Sequence, residues 1–316
     1  MERIVITEDN SIETTRMEPF ELASPGQGQI AVRVNYSGLG MIDALQASGV
    51  IGNLAGHTPG LEVSGTVTAV GDGVDRFEVG DRVAGMCFGG GLASHALLDV
   101  NMSVKLPEGI SDDVASVTIV NTLTAWAGLR AVRAAGKPTK ALIFAAAGGL
   151  GTQFTQVLRT LGVHEVDGVV GSAEKEQLVK ELGVKSVFRR DQNDSIPNGH
   201  YDLVVDPVGG EGFTAGWEAL DSGGCLLKVG NASGASDVAI DPTRFWLENK
   251  TVMGFNVGAW MTAQPGLALE GIQWAVENVA VGNILVPTMS YPASEYKTAL
   301  SALKNGQTSG KLTLKW

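Results

Sequence analysis

Cysteine is nearly absent from this chain of 316 residues: Cys87 and Cys225 stand far apart, too few for a disulfide framework or a four-cysteine metal site. Both are expected to be reduced and packed. No run of about 18 uncharged apolar residues occurs, so no membrane-spanning helix is expected, and the opening MERIVITEDN lacks the apolar stretch of a secretory signal. A cytosolic protein with no membrane partner is the expectation. Positive charge is also short. Lys and Arg total 23 against 34 Asp and Glu, a net charge of −11, and no basic cluster interleaved with aromatics offsets it. A phosphate backbone would meet net repulsion, which argues against nucleic acid.

Glycine, by contrast, is abundant at 42 residues, about twice its usual share of roughly 7%. With 44% hydrophobic residues and clear periodicity, the chain is neither disordered nor collagen-like, so the glycines serve turns and close backbone approaches. Up to about residue 105, short alternating segments such as Ile30 to Tyr36 and Leu61 to Val70 are broken by the clusters SPGQG, GHTPG and GDGVD. That rhythm predicts a barrel-like β unit. After Pro107 it changes: Ser111, Asp112 and Asp113 predict a helix start, and apolar residues at helical spacing carry the pattern on to Ala135.

From Lys140 onward, apolar runs alternate with amphipathic stretches: ALIFAA, a helix from about Gly149 to Leu161, VDGVVG, a helix Ala173 to Leu182, a short VKSVF, then YDLVVD and CLLKVG. This alternation predicts βαβ units around a parallel sheet covered on both faces. The rest predicts a helix near Gly266 to Val279, a strand near Ile284 to Met289, a helix Ser294 to Asn305 and a strand Lys311 to Lys315.

The strongest local signal is ALIFAAAGGLGTQFTQVL, residues 141–158, where a buried strand runs through glycines into a helix. Such a turn presents backbone N–H groups and the positive helix end to a pyrophosphate, with Ala147, Gly148, Gly149, Leu150 and Gly151 as the contacts. Ala145 stands where many dinucleotide sites have their first glycine. Glycine also serves purely steric turns, so the next strand carries the decision. A free ribose 2′-hydroxyl calls for an acid at that strand's tip, yet the chain reads Val169, Val170, Gly171, Ser172, with Lys175 just beyond. A missing acid and a nearby ammonium favour a 2′-phosphate, hence NADPH over NADH. Lys175 equally suits an ordinary solvated helix, and Glu174 suits the first turn of a helix better than a ribose.

Taken in order, PGLEVSGTVTAVGDGVDRFEVGDRV (59–83), LTAW (123–126), AAAGGLG (145–151), GSAEK (171–175), DPVGG (206–210) and VGNASG (229–234) resemble the zinc-independent quinone oxidoreductases of the medium-chain dehydrogenase/reductase type, across almost the whole chain. The resemblance implies an α/β fold: a GroES-like, mainly β catalytic domain from residues 1–120 plus about 262–316, and a Rossmann-type doubly wound parallel sheet from 121–261. It also implies NADPH and, commonly, a homodimer. Thr124 and Trp126 would lie near nicotinamide and substrate, Gly230 and Asn231 would border the cofactor, and Ser172 and Lys175 would take the 2′-phosphate. Arg190, after the third strand, suits either the adenine and phosphate clamp or a plain surface charge.

Zinc-dependent relatives carry His before Glu where this chain has Leu61 and Glu62, and the cysteine-rich lobe is missing; His57 and His95 alone make no ligand set, so no metal is expected. In SGLGMIDALQASG (37–49), Gly40 and Leu45 replace the family's usual Asn and Tyr, while Asp43 matches. The expected reaction is hydride transfer to a quinone or to the C=C of an α,β-unsaturated carbonyl, enoyl thioesters included. Thr124 or Asn256 would hydrogen-bond the oxygen that gains charge, and Asp43 is the acid/base candidate, with a structural hydrogen-bonding role open to it as well. The competing reading is an NADPH-binding structural or regulatory protein without turnover, as in crystallin-like relatives.

Overall fold

Close punctuation by glycine and proline keeps the first part of the chain in short strands. The computed structural model describes residues 1–316 apart from Asn53, Ala134, Ala135, Lys137, Asp237 and the side chain of Arg133. In chain order, β1 (Glu2–Val5), β2 (Arg16–Pro19), β3 (Gln29–Leu39), α1 (Met41–Ala47), β4 (Glu62–Val70), β5 (Arg82–Met86), β6 (His95–Asp99) and β7 (Ser103–Lys105) lead to α2 (Asp112–Ala115) and α3 (Ile119–Arg133). Next come β8 (Lys140–Ile143), α4 (Gly149–Thr160), β9 (Glu165–Val170), α5 (Glu176–Glu181), β10 (Val187–Arg189), β11 (Tyr201–Asp206), α6 (Glu211–Ala219), β12 (Leu220–Lys228), α7 (Pro242–Glu248), β13 (Thr251–Gly254) and α8 (Val257–Ala263). The chain closes with α9 (Pro265–Ala280), β14 (Thr288–Pro292), α10 (Tyr296–Lys304) and β15 (Lys311–Lys315). Two compact units result: Met1–Leu123 with Ala263–Trp316, and Thr124–Thr262.

In the first unit the sheet runs β14-β15-β3-β4-β5-β7, with β6 on β3. The length of β3 makes this arrangement work: Gln29–Arg33 pairs with β6, Tyr36–Leu39 pairs with β15, and β4 follows the other edge. Alternate residues Ile30, Val32 and Val34 face inward onto Val63, Val67, Val83 and Leu98, all buried, as the period of a strand requires.

Crossover helices put parallel strands in the second unit, in the order β10-β9-β8-β11-β12-β13. Every neighbouring pair in it is parallel. Because helices cover such a sheet, its strands are apolar nearly throughout; Leu142, Val169, Val204 and Leu226 share one core. From β8 the chain winds one way to β9 and β10, and from β11 the other way to β12 and β13. The order therefore reverses between β8 and β11, and ligands of such sheets bind outside the carboxyl ends of the strands at that reversal.

Two local expectations are corrected. The helical pattern after Ser111 breaks into α2 and α3, because Ser116 and Thr118 turn their hydroxyls onto the carbonyls of Asp113 and Val114 at 2.8 Å each and compete with the helix ladder. Its expected end at Ala135 lies outside the described residues. The strand expected near Ile284 to Met289 runs Thr288–Pro292 instead, starting after Pro287, which has no N–H and serves only through its carbonyl, accepting from the Lys311 N–H at 2.8 Å.

Where β4 crosses β3, a Cβ on Gly65 would collide with the Arg33 carbonyl oxygen and lie 2.8 Å from Val32 Cγ1. Gly65→Ala is expected to lower the unfolding free energy by about 1–3 kcal/mol. Gly254→Ala, whose methyl meets nothing within 4 Å, is expected to change it by less than about 0.5 kcal/mol, both read by urea titration.

Candidate cofactor and substrate site

The carboxyl end of β8 turns abruptly. Ala145 takes φ +49°, a left-handed conformation that suits glycine better, and Gly148 caps α4 in an extended conformation without a side chain to satisfy the helix end. The first helical bond is Thr152 N–H to Gly148 O at 3.0 Å, so the N–H groups of Gly149, Leu150 and Gly151 have no acceptor within the helix. Gly151 packs directly on the turn, where a Cβ would meet the Ala145 carbonyl oxygen and sit 2.6 Å from Ala146 Cα. Ala147 is buried beneath, while Gly148, Gly149 and Leu150 are partly exposed. A bare, positively polarised helix start of this kind fits a pyrophosphate.

At the tip of β9 the chain offers cations and a hydroxyl. The Arg190 guanidinium lies over Gly171, with Nη2 3.8 Å from where a Cβ would be. Lys175 is half-buried beside it; burial first, and then the Arg190 charge, hold its ammonium below the ordinary lysine value. Two crowded cations of this sort are relieved by an anion. Glu174 stands beside this group: its exposed carboxyl is held below the usual range chiefly by the hydrogen bond from the Ser172 hydroxyl, a donor that a phosphate would take over. Arg189, next to the pair, is bridged to Asp191 at 3.3 Å. The donor set of Ser172, Lys175 and Arg190 fits a 2′-phosphate.

Beyond the reversal point, β11 ends in Asp206, fully buried, whose Oδ1 accepts the N–H groups of Val208 at 2.8 Å and Gly209 at 2.9 Å. Its Oδ2 meets Lys228 Nζ, at the end of β12, at 3.0 Å. Gly230 and Asn231 follow on the same edge, both exposed; Asn231 donates to the Ala235 carbonyl at 3.0 Å. Neither Asp206 nor Lys228 stands out in the linear sequence as part of a site, although a lysine closing the apolar run CLL was a signal.

Aromatic residues gather in the same unit. Trp126, on α3, is nearly buried and meets Trp260 of α8 edge-on, with ring centroids 6.4 Å apart. Phe255 flanks Trp260 at 6.2 Å, and the Arg130 guanidinium lies 4.1 Å from the Trp126 ring. Phe255 and Trp260 thus form one aromatic group with Trp126. Thr124 is buried on α3, two residues before Trp126, and Asn256 is exposed just before α8, its Oδ1 accepting the Ala259 N–H at 2.9 Å. The Asn256 amide nitrogen is the end left to donate.

Asp43 belongs to the first unit and is 1% exposed. Its oxygens accept the N–H groups of Gly40 and Gly60, each at 2.8 Å, while burial pushes its pKa up to about 6. In the same unit, Glu62 is ion-paired to Lys311 at 3.0 Å, both nearly inaccessible, and accepts the Val120 N–H at 2.9 Å in the first turn of α3. Cys87 donates to the Gly60 carbonyl at 3.4 Å, and burial, then the charges of Asp43 and Glu62, push its thiol pKa up. Among the described residues, no three of His, Cys, Asp and Glu form a group that could hold a metal ion, and no helix is long and apolar enough to cross a membrane.

A reversing parallel sheet with a glycine turn at its first strand, attached to a barrel-like β unit, defines a dinucleotide-dependent oxidoreductase architecture. Comparison with known proteins agrees. Residues 26–108 match the alcohol dehydrogenase GroES-like domain, and residues 149–271 match the zinc-binding dehydrogenase family. The chain belongs to the medium-chain dehydrogenase/reductase family, on its quinone oxidoreductase-like side. Among solved structures it is similar to the quinone oxidoreductase of Escherichia coli complexed with NADPH (TM-score 0.90, 24% identity, all of both chains). A mycobacterial protein complexed with NADPH (0.89, 26%, all of both chains) and the CurK enoyl reductase (0.87, 22%, 99% of this chain and 98% of that one) share the fold. By sequence it is 30% identical over 322 residues to a mycocerosic acid synthase-like polyketide synthase of Mycolicibacterium smegmatis, matching 99% of this chain. The chain spans about 15% of the length of the curated relatives it matches.

Lys175→Ala and Arg190→Ala are each expected to weaken NADPH binding about tenfold, ~1.4 kcal/mol, and to leave NADH binding within about twofold. Titration by tryptophan fluorescence reads both; an equal loss for the two nucleotides would remove the 2′-phosphate from this site.

Proposed function

We propose that this chain is an NADPH-dependent reductase that delivers hydride, without zinc, to an activated acceptor: a quinone, or the C=C of an α,β-unsaturated carbonyl compound, acyl thioesters among them. The observation that carries the reading is the common edge of the parallel sheet, where the Ser172, Lys175 and Arg190 group, the open start of α4 and the tips of β11 and β12 succeed one another in the order a dinucleotide would need. NADPH supplies the hydride from its nicotinamide C4. An enone gains that hydride at its β-carbon and a proton at its α-carbon; a quinone gains both to become a hydroquinone.

The protein's share is to bind, orient and stabilise charge. Thr124 and the amide nitrogen of Asn256 are the side-chain donors assigned to the acceptor oxygen on which charge develops. The Trp126 and Trp260 pair, packed edge to face, supplies an apolar aromatic surface suited to a conjugated acceptor. We assign Asp43 a positioning role: both oxygens are committed to N–H groups, which favours the acceptor-only carboxylate, and its burial separates it from solvent protons. The proton then comes from solvent. Leu61 in place of a metal-binding histidine, and a Cys87 thiol kept protonated by its surroundings, support chemistry without zinc.

Acyl thioesters are included because polyketide synthases stand among the matched relatives and an enoyl reductase shares the fold. A second copy of the chain is our choice of partner. β13 is an edge strand of its sheet, and neighbouring α7 exposes Trp246 and Leu247 at 78% and 68%. Covering that edge would remove both an apolar surface and a row of unpaired backbone groups.

The test is consumption of NADPH with a naphthoquinone, an alkenal and crotonyl-coenzyme A, on wild type and Asp43→Asn. Turnover with at least one acceptor class is expected, with kcat in Asp43→Asn lowered less than about tenfold, whereas loss of a general acid typically costs about 10²–10⁴. Tight NADPH binding with no turnover on any acceptor would make the chain a cofactor-binding protein without this activity.

A further inference from the structure

β12 is buried through Cys225, Leu226 and Leu227 and then ends in Lys228, an ammonium that a doubly covered strand has no packing reason to carry. Its Nζ stands 3.0 Å from Asp206 Oδ2, with the lysine side chain 28% exposed and the carboxylate at 0%. That carboxylate cannot swing away, because Oδ1 holds the N–H groups of Val208 and Gly209. The loop after β11 closes over the ammonium through Gly209, at φ +79°, where a Cβ would lie 3.0 Å from Nζ and collide with Asn231 Oδ1. The positive φ suits glycine, the bare Cα leaves the ammonium uncrowded, and Lys228 stands at the carboxyl end of its strand, the edge on which ligands of such sheets bind.

The place of this pair along the sheet says which part of a ligand it meets. The cations suited to a 2′-phosphate stand at the tips of β9 and β10, and the pyrophosphate cradle follows β8. Strands are spaced about 4.8 Å apart, so β12, two strands beyond β8, lies about 10 Å past the cradle, on the side away from the adenosine. A dinucleotide laid along this edge brings its nicotinamide half there.

We propose that Lys228 and Asp206 form a charge-balanced clamp on the nicotinamide half of the cofactor: Lys228 donates a hydrogen bond to the ribose or carboxamide oxygen, and Asp206 cancels the charge that comes with that donor. The reason for the partner lies in the two forms of the ring, since the oxidised form carries one positive charge more than the reduced form. A lone ammonium beside it would disfavour NADP⁺, and a lone carboxylate would favour it. As a pair they supply the hydrogen bond and leave the two forms evenly held.

The inference rests on the NADPH reading above, and its test separates the two. Dissociation constants for NADPH and NADP⁺ are measured by fluorescence and calorimetry in mildly alkaline buffer for wild type, Lys228→Met, Asp206→Asn and the double variant. Asn at 206 keeps an acceptor for the two N–H groups, and Lys228→Gln serves as a second, polar replacement should Met perturb folding, with thermal melting as the check. Relative to wild type, the ratio Kd(NADP⁺)/Kd(NADPH) is expected to fall about three- to tenfold in Lys228→Met and Lys228→Gln, rise by a similar factor in Asp206→Asn, and return toward wild type in the double variant. A merely structural pair would weaken both forms together. Ratios unmoved within about twofold, or moved in the same direction by both substitutions, would overturn the clamp while the wild type still binds NADPH. Failure of the wild type to bind either form would overturn the cofactor reading and the clamp with it.

Discussion

The turn from β8 into α4 is the constraint on which the site depends. Gly151 packs against the Ala145 carbonyl oxygen so closely that the strand and helix have no room between them, and the helix start is thereby aimed along the carboxyl edge of the sheet. A wider turn would leave the first N–H groups of α4 pointing elsewhere. Parallel pairing of β8 with both β9 and β11 then fixes what lies on either hand: the Ser172, Lys175 and Arg190 group on one side, and Asp206, Lys228 and Asn231 on the other. Each of these side chains is positioned by a strand tip, so their order along the edge follows from strand order alone.

Charge is handled differently in the two units. In the barrel-like unit, Glu62 and Lys311 are almost wholly buried and bond inward: with each other, with the Leu39 carbonyl and with the Val120 N–H. Removing one partner of such a pair typically costs about 3–5 kcal/mol, because an uncompensated charge stays behind. Asp43, close to that pair, is likewise turned inward. In the sheet unit Lys228 and Lys175 sit at or just beyond strand ends with part of their surface open. Inward charges hold a fold together; edge charges are available to a ligand.

Much of this was legible in the sequence because it is local. A strand, a glycine turn and a helix follow one another within residues 141–158, and the lack of an acid after Val170 can be read directly from the chain. The alternation of apolar runs and amphipathic helices gave the parallel sheet, and the glycine and proline spacing gave the β unit. What escaped depends on partners distant in sequence. Asp206 and Lys228 lie on separate strands and become a pair only through the register that sets Asp206 opposite Lys228. Trp126 and Trp260, far apart in sequence, meet only where the fold brings α3 and α8 together. The break between α2 and α3 turned on hydroxyls of Ser116 and Thr118 choosing backbone carbonyls, a competition that apolar periodicity does not register.

The central claim is that the carboxyl edge of the six-stranded sheet holds a dinucleotide with its pyrophosphate on the start of α4. Hydrogen exchange of the backbone amides with and without NADPH tests it most directly. The account predicts slowed exchange at Gly149, Leu150 and Gly151, joined by the segments after β9, β11 and β12. Unchanged exchange at those three amides under saturating NADPH would contradict it.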